Sequence, residues 1–168
     1  MRSVPIVLFG AVASLLGCSD CDRQGCEALR QRAPGRATGI GGVVAASSDV
    51  VGDGCQECGF ESGGAVPIWK AEGVVSTPAA ANDVLATADP VHASVRAGRF
   101  FAPLEPGSYL VCSVPNCINV TVAADTTTTV NVKLRNGPTS FFVVDPESRA
   151  LVEDYGLDVG YDGTALQQ

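Results

Sequence analysis

Apolar and polar residues alternate along much of the second half of the chain. The alternation is clearest over 91–95, 117–122 and 126–134, where Val, Ile, Leu or Ala recurs at alternate positions. A period of two places successive side chains on opposite faces of an extended backbone. Each of these segments is therefore predicted to form a half-buried β-strand.

Short runs rich in β-branched and aromatic residues predict further strands, over 40–45, 66–69, 73–76, 99–104, 108–112 and 139–144. Segments rich in Gly, Pro, Ala and Asp separate these runs, and we expect long loops over 46–64 and 77–90. The region beyond residue 39 shows no sustained helical period. About seven short strands at this spacing predict an all-β fold, a single Greek-key β-sandwich.

Cys112 and Cys117 predict a disulfide bond across a hairpin. A turn between them is favoured by Pro115 and Asn116. If the two cysteines face each other, they share one face of the sheet with Leu110, Asn119 and Thr121. The opposite face is almost wholly apolar and predicts the core: Tyr109, Val111, Ile118, Val120 and Val122.

An apolar run over 4–16 follows Arg2 and ends at Leu15-Leu16-Gly17-Cys18. The run is shorter than the roughly 20 apolar residues of a membrane-spanning helix. It fits a secretory signal, and its end resembles the lipobox of bacterial lipoproteins. The resemblance implies cleavage between Gly17 and Cys18 and a lipid on Cys18, while the following Ser19 implies the outer membrane. An ordinary signal peptide is the alternative.

Beyond the signal peptide of residues 1–17, the chain divides into three parts. Residues 18–37 are polar and carry several arginines, and we expect a lipid-anchored tether there. Contact of these arginines with lipid phosphates is the alternative. The sandwich is expected over 38–145, and an acidic tail or edge strand over 146–168.

Lipidation of Cys18 leaves six of the seven cysteines. In an exported chain six cysteines indicate a disulfide framework, and the close spacings favour local pairs: Cys21–Cys26, Cys55–Cys58 and Cys112–Cys117. Two alternatives use the same residues. One is a four-cysteine zinc site made of Cys55, Cys58, Cys112 and Cys117, and the other is a redox pair at Cys55 and Cys58.

The segment 98–111 runs Gly-Arg-Phe-Phe-Ala-Pro-Leu-Glu-Pro-Gly-Ser-Tyr-Leu-Val. It resembles the signature of carboxypeptidase-regulatory-like domains, which is a glycine turn, an aromatic strand, then Pro-Gly-x-Tyr and another strand. Segments 40–43, 120–125 and the threonine-rich strand ending at Leu134 fit the same family. The resemblance covers roughly residues 38–135, with a departure at the loop 46–64. It implies a prealbumin-like (transthyretin-like) sandwich and no catalytic residue.

Charge and composition exclude several classes of function. The net charge of −7 disfavours nucleic acid and direct contact with anionic lipid. His92 is the only histidine, and strand alternation places it on the solvent face. With no Gly-x-Ser-x-Gly motif and no base beside a nucleophile, we expect no enzyme and no cofactor.

Two further features admit a binding role. Acidic residues recur every fourth position in the first long loop, at Asp49, Asp53, Glu57 and Glu61. We expect a solvated loop, with calcium as the alternative, and the same holds for Asp158 and Asp162. Trp69 is the only tryptophan and is expected to pack between the sheets, with a ligand platform as the alternative.

Together these observations predict a non-catalytic lipoprotein of the cell envelope, whose sandwich has a binding or structural role. A protein or a glycan is the expected partner, besides the membrane that holds the lipid. A zinc or redox protein is one alternative. An accessory subunit that adds a strand to the edge of a sheet is the other.

Overall fold

The structure is a computed structural model that describes residues 27–48, 57–113, 116–135, 137–144 and 151–154. These residues form ten strands and one helix, and the strands make two packed sheets. The expected all-β sandwich is thus confirmed. In chain order the elements are β1 (Gly39–Ser48), β2 (Glu57–Phe60), β3 (Ala65–Ala71), α1 (Pro78–Thr87), β4 (Val91–Ser94), β5 (Arg99–Pro103), β6 (Gly107–Ser113), β7 (Asn116–Val122), β8 (Thr127–Arg135), β9 (Gly137–Val144) and β10 (Leu151–Asp154).

The larger sheet has the strand order β10-β9-β8-β1-β2, and β5 also pairs with β1. β5 and β2 both pair with the same side of β1. β5 pairs with residues 39–43, and β2 pairs with residues 45–48. β8 runs parallel to β1 on its other side, from the pair Gly39 and Thr127 to the pair Ala46 and Leu134. β10 forms an edge strand against β9.

The smaller sheet has the order β4-β3-β6-β7, and its neighbours are all antiparallel. Cys112 lies opposite Cys117, which is the predicted register of the hairpin. The apolar faces of the two sheets meet in one core. That core includes all five residues predicted for the inner face of the hairpin: Tyr109, Val111, Ile118, Val120 and Val122.

A helix occupies most of the segment 77–90, so the predicted loop there is wrong. Thr77 caps α1 by accepting a hydrogen bond from the backbone N of Ala80 at 3.2 Å, and Pro78 opens the helix. Ala81 is fully buried against the outer face of the smaller sheet. The helix is short and mostly small residues, so it lacks the wide apolar stripe that periodicity analysis detects.

Trp69 lies beneath α1 on the outer face of the smaller sheet, and not between the two sheets as predicted. Successive side chains of β3 point to opposite faces, so Ile68 joins the core between the sheets while Trp69 packs with Leu110 under the helix. Because the helix packs over these side chains, the outer face of the smaller sheet forms a second apolar layer.

Residues 27–37, which we call the N-terminal strap, cross the outer face of the larger sheet. Ala28 and Leu29 are buried there against Val43 and Ala45. Residues 27–37 of the predicted tether 18–37 thus lie along the sheet, with Ala28 and Leu29 buried and most of the other side chains exposed. The reason is that β8 offers a row of short polar side chains that bind the strap's backbone.

Two other strand predictions need correction. β2 lies inside the predicted loop 46–64, because residues 57–60 pair with the end of β1. The predicted strand over 73–76 is absent from the described structure. There the backbone N and O of Val75 bind the side chain of Asn119, each at 2.8 Å, in place of a strand neighbour.

Candidate functional site

A cavity of about 300 Å³ lies at one end of the sandwich, and we refer to it as the end cavity. Both sheets line it, where β6 and β8 finish and β3 and β7 begin. Val44, Val132 and Leu134 come from the larger sheet, and Val66 and Trp69 from the smaller one. Aliphatic and aromatic side chains thus make up much of its wall.

Trp69 is the member of this wall with an unused hydrogen-bond donor. Its side chain is buried, with 3% of the residue exposed. No acceptor among the described residues lies within hydrogen-bond distance of its Nε1. A buried donor without an acceptor costs about 1–3 kcal/mol, so such a group in a native fold calls for an explanation. Nε1 itself has no appreciable accessible surface, so it is enclosed by protein atoms and does not open into the end cavity.

A disulfide bond and the helix complete this side of the wall. Cys112 and Cys117 are joined, with their Cα atoms 4.0 Å apart, and both are buried. The predicted cross-strand disulfide is therefore present. Leu85 of α1 also lines the cavity. Because the two sulfur atoms are bonded to each other, this pair has no thiolate to offer a metal.

Thr139 of β9 ties the two sheets together beside the end cavity. Its hydroxyl is 3.1 Å from the Ser113 hydroxyl, and its backbone carbonyl accepts a hydrogen bond from Asn116 Nδ2 at 2.7 Å. Ser113 and Asn116 line the cavity. These contacts link the two sheets at this end of the sandwich.

The rim of the cavity is formed by Glu61, Gly63 and Gly64, which connect β2 to β3. Backbone hydrogen bonds hold this connection in place. Glu61 donates to Val44 at 3.0 Å and accepts from Gly98 at 2.7 Å, and Gly64 accepts from Val95 at 2.9 Å. The rim is thus a fixed part of the sandwich with one acidic side chain.

The N-terminal strap begins at the same end of the molecule. Its first apolar residues, Ala28 and Leu29, pack against the second half of β1, near Ala45. Ala45 lies opposite Lys133 in the β1–β8 pair, one residue from Leu134 in the cavity wall. The strap therefore runs from the cavity end of the sandwich toward the opposite end, where β1 starts.

Most of the predicted site residues lie outside the described residues: Gly17, Cys18, Cys21, Cys26, Asp49, Asp53, Cys55, Asp158 and Asp162. Glu57 and Cys58 belong to β2, whose backbone alone is described at those positions. The lipid site, the signal cleavage, the pairs Cys21–Cys26 and Cys55–Cys58 and the acidic loop therefore remain predictions.

The other residues that the sequence suggested for a site do not lie together in the described structure. His92 is exposed on the edge strand β4, opposite Pro67, and is not among the residues that line the end cavity. Glu61 lies at the cavity rim, while the other acidic side chains with which it was grouped lie outside the described part of the structure. In the described part of the chain, no three His, Cys, Asp or Glu side chains come close enough to share a metal ion.

Sequence reasoning missed the end cavity and the role of Leu85. Two signals pointed to the helix that brings Leu85 there. Thr77 followed by Pro78 is a typical helix start, because threonine caps and proline fits the first helical position. The outer face of the hairpin also carries Leu110 between polar neighbours, which indicates that something covers it.

Within the described residues no helix has both the length and the apolar character needed to cross a bilayer. No protein-family model matches the chain, and searches of curated proteins and of solved structures find no significant match.

Proposed function

We propose that this chain is a lipid-anchored, non-catalytic binding protein of the bacterial cell envelope, whose ligand site is the end cavity. The anchor is a lipid on Cys18, and the outer membrane is the expected address. The support for both is the run Leu15-Leu16-Gly17-Cys18 and the short apolar segment before it.

The observation that carries the binding role is the end cavity itself, a hollow of about 300 Å³ with a largely apolar wall where the two sheets end. Ligand sites are mostly apolar hollows with a small number of polar groups that orient the ligand, and their volumes start near 300 Å³. The end cavity fits that description. Its few polar side chains include Ser113 and Asn116, which hydrogen-bond to Thr139.

A binding role fits the cavity better than catalysis. Proton transfer or nucleophilic attack needs a nucleophile beside a base. The acidic side chain of Glu61 is at the rim, and the single histidine lies elsewhere on an exposed strand. We therefore assign the site to recognition.

The zinc and redox alternatives both need accessible thiolates. The buried bond between Cys112 and Cys117 removes two of the four ligands from the zinc site. It favours a structural role for this pair, since small exported domains commonly use disulfides as staples.

We also propose that the sandwich is a carboxypeptidase-regulatory-like, prealbumin-like domain with Greek-key connections. The support is the signature over 98–111 and the two-sheet architecture. Domains of this type are expected to present loops and cavities to a partner, with no chemistry of their own.

The test is the intact mass of native protein extracted in mild detergent, measured before and after denaturation. We expect an acylated N-terminus at Cys18 and a small molecule that leaves on denaturation. Leu134→Phe, which fills the end cavity, should keep the acylation and lose the small molecule. Leu104→Phe is the matched control, because Leu104 also packs on the core but lies at the opposite end.

Cys18→Ser should leave the protein in the aqueous phase. An unacylated wild-type chain would contradict the proposed lipid anchor on Cys18. Native protein that carries no small molecule would contradict the proposal that the end cavity is a ligand site. Free thiols together with a zinc mass lost on denaturation would favour the metal alternative.

A further inference from the structure

We propose that a groove on the outer face of the larger sheet binds an acidic saccharide, and that two arginine side chains hold its anionic group. We call it the arginine groove, and its walls include Ser94, Arg96, Arg99 and Phe101 together with Ala33 and Pro34 of the N-terminal strap. Its volume is about 390 Å³, and none of its lining residues lines the end cavity. The groove is therefore a second site, and the inference goes beyond the proposed function.

Arg96 and Arg99 lie directly opposite each other where the chain enters β5. The backbone N of Arg96 donates to the carbonyl of Arg99 at 2.8 Å, and the backbone N of Arg99 donates to the carbonyl of Arg96 at 3.0 Å. Residues bonded in this reciprocal way have their side chains on the same face and their Cα atoms about 5.5 Å apart. Both side chains are exposed and line the arginine groove. Two guanidinium groups can therefore reach the same anion.

This pairing of two arginines is unfavourable in the absence of an anion. Like charges directly opposite each other destabilise a pair of strands. Neither arginine forms an ion pair or a side-chain hydrogen bond with a described residue, and no Asp or Glu is among the described residues that line the groove. The chain as a whole has 18 acidic residues against 11 Lys and Arg, so this groove departs from the overall composition. A bound anion would neutralise the repulsion.

The turn between the two arginines is held in place by the rest of the sandwich. Ala97 and Gly98 have positive φ angles of 47° and 72°, as in the tight two-residue turns of β-hairpins. Alanine rarely adopts this conformation, because its Cβ comes too close to a carbonyl oxygen. The backbone N of Gly98 donates to the Glu61 carbonyl at 2.7 Å, and its carbonyl accepts from the N of Val44 at 2.8 Å. The turn is thus fixed before a ligand arrives, which lowers the entropy cost of binding.

Phe101 gives the groove an aromatic wall. It follows Arg99 by two residues in β5, so both side chains are on the outer face, and 43% of Phe101 is exposed. Gly41 pairs with Phe101 in β1, and a Cβ added at Gly41 would lie 3.2 Å from the phenyl ring. Because Gly41 has no side chain, the floor beside the ring is backbone. The apolar face of a ligand ring can cover Phe101 there and remove it from water.

A sugar ring with an acidic group matches both parts of the groove. Its C–H face can cover Phe101, while its hydroxyls stay in contact with water and with the exposed Ser94 hydroxyl. A carboxylate or phosphate on the ring accepts charge-assisted hydrogen bonds from guanidinium groups, whose planar geometry suits these anions. A uronic acid and a sugar phosphate share this chemistry, and the experiment distinguishes them. Nucleic acid is disfavoured by the net charge of −7.

The test is an NMR titration of the ¹⁵N-labelled full mature chain carrying Cys18→Ser. The probes are D-glucuronate and D-glucose 6-phosphate, with D-glucose as the uncharged control and with acetate and inorganic phosphate as the anions without a ring. We expect saturable shifts of the side-chain N–H signals of Arg96 and Arg99 with at least one charged sugar. D-glucose should bind about ten-fold more weakly or less, and the matching anion without a ring about five-fold more weakly. The charged sugar that binds more tightly identifies the anionic group.

Variants with matched changes locate the binding. Arg96→Gln and, independently, Arg99→Gln should each weaken binding of the charged sugar about ten-fold. Arg30→Gln is the control, because it removes the same charge from an exposed arginine of the strap that does not line the groove, and it should change binding about two-fold or less. Phe101→Leu should weaken binding of the charged sugar about five-fold and leave binding of acetate or phosphate unchanged.

Arg99→Glu separates lost recognition from misfolding. A glutamate opposite Arg96 replaces the like-charge pair by a pair of opposite charges. This variant should therefore melt at a higher temperature than wild type and bind neither charged sugar. A lower melting temperature would contradict the like-charge argument on which the proposal depends.

The proposal would be overturned by D-glucose binding as tightly as the charged sugars, or by shifts that map outside the groove. An effect of Arg30→Gln equal to that of Arg99→Gln would also overturn it. If the protein binds phosphatidylglycerol vesicles and responds to neither charged sugar, the arginines contact a membrane surface and the saccharide site is wrong. The absence of a small molecule from the end cavity would leave this proposal intact, since the two sites share no residue.

Discussion

Asn131 shows how one buried side chain joins two layers of this molecule. Its Nδ2 donates to the carbonyls of Leu29 at 2.7 Å and Gln31 at 3.0 Å, and its Oδ1 accepts from the backbone N of Val43 at 3.0 Å. It is fully buried. The alternation in β8 correctly places it on the outer face of the sheet, and the strap turns that face into an interior.

We predict that Asn131→Leu lowers the free energy of unfolding by about 2–4 kcal/mol, because it removes the partner of two buried backbone groups and one part-buried backbone group. Thr129→Val is the control, with a smaller expected loss of stability. It removes a single hydrogen bond, from the backbone N of Ala33 at 3.0 Å, and should cost about 1 kcal/mol. Urea unfolding measures both.

A second readout of Asn131→Leu is cleavage by trypsin at Arg30 and Arg32, which lie in the strap. Cleavage there should become faster in Asn131→Leu than in Thr129→Val. An unchanged cleavage rate would mean that Asn131 does not hold the strap.

Tyr109 makes the stability of the sandwich sensitive to alkali. Burial raises the pKa of its phenol above the usual value, and the nearby carboxylate of Glu105 raises it further. The hydroxyl donates to the backbone carbonyl of Glu105 at 2.8 Å. Because the folded pKa is above the unfolded one, the unfolded chain loses this proton first as the pH rises. Stability is therefore complete below about pH 10 and falls above it.

We predict that Tyr109→Phe costs about 1 kcal/mol at pH 8 through the lost hydrogen bond. The difference in unfolding free energy from wild type should narrow as the pH rises above 10, since phenylalanine cannot ionise. Urea unfolding between pH 8 and pH 11 measures the difference, and a gap that stays constant would contradict the assignment.

At the scale of elements, β1 is the central strand, because it contacts β8 on one side and both β5 and β2 on the other. Its glycines permit this crowding. A Cβ added at Gly42 would overlap the backbone carbonyl of Val130. Beside it, the N–H of Val43 bonds to the Asn131 side chain. A side chain thus substitutes for a backbone partner where β1 and β8 come closest.

We predict that Gly42→Ala lowers the unfolding free energy by about 2–3 kcal/mol, since the overlap is with backbone and cannot be relieved by a rotamer change. Gly59→Ala is the matched control in β2, where an added Cβ meets nothing within 4 Å, and it should stay within about 0.5 kcal/mol of wild type. Thermal and urea unfolding compare the two, and equal losses would contradict the packing argument.

For the whole molecule, both sheets are covered on their outer faces. Helix α1 covers the smaller sheet, and the N-terminal strap covers part of the larger one. The sandwich therefore has apolar layers outside as well as between its sheets. This arrangement implies that the stable unit begins before residue 38.

We predict that a chain starting at residue 38 is less stable than one starting at residue 27 by about 4 kcal/mol. The estimate combines the burial of Leu29, worth about 2 kcal/mol, with the loss of the strap's hydrogen bonds to β8, worth about 2 kcal/mol together. Urea unfolding of the two chains compares them. Equal stability would mean that the strap contributes little to the fold.

Much of the sandwich was predictable because alternation is a local property of a strand. The register of the β6–β7 hairpin, its disulfide and its five core residues followed from residues 109–122 alone. The helix and the strap were not predictable in this way, because each is stabilised by a sheet face formed from distant parts of the chain. The hydrogen bonds of Asn131, for example, join residues about 100 positions apart.

The end cavity, like the helix and the strap, could not be predicted from local pattern. Its wall combines residues of β1, β3, β6, β7, β8 and α1, and no single segment of the sequence carries its signature. Trp69 was noticed because it is the only tryptophan, but its strand has apolar residues on both faces. Local pattern could not decide on which face it would lie.

By itself the sequence determined the all-β class, the position of most strands and the pairing of Cys112 with Cys117. These depend on side-chain alternation and on short loops, which act within a few residues. Only the tertiary structure decided what covers the outer faces, where Trp69 packs and that a cavity remains at one end. Those features depend on how surfaces formed by distant segments fit together, and packing of that kind leaves no period in the chain.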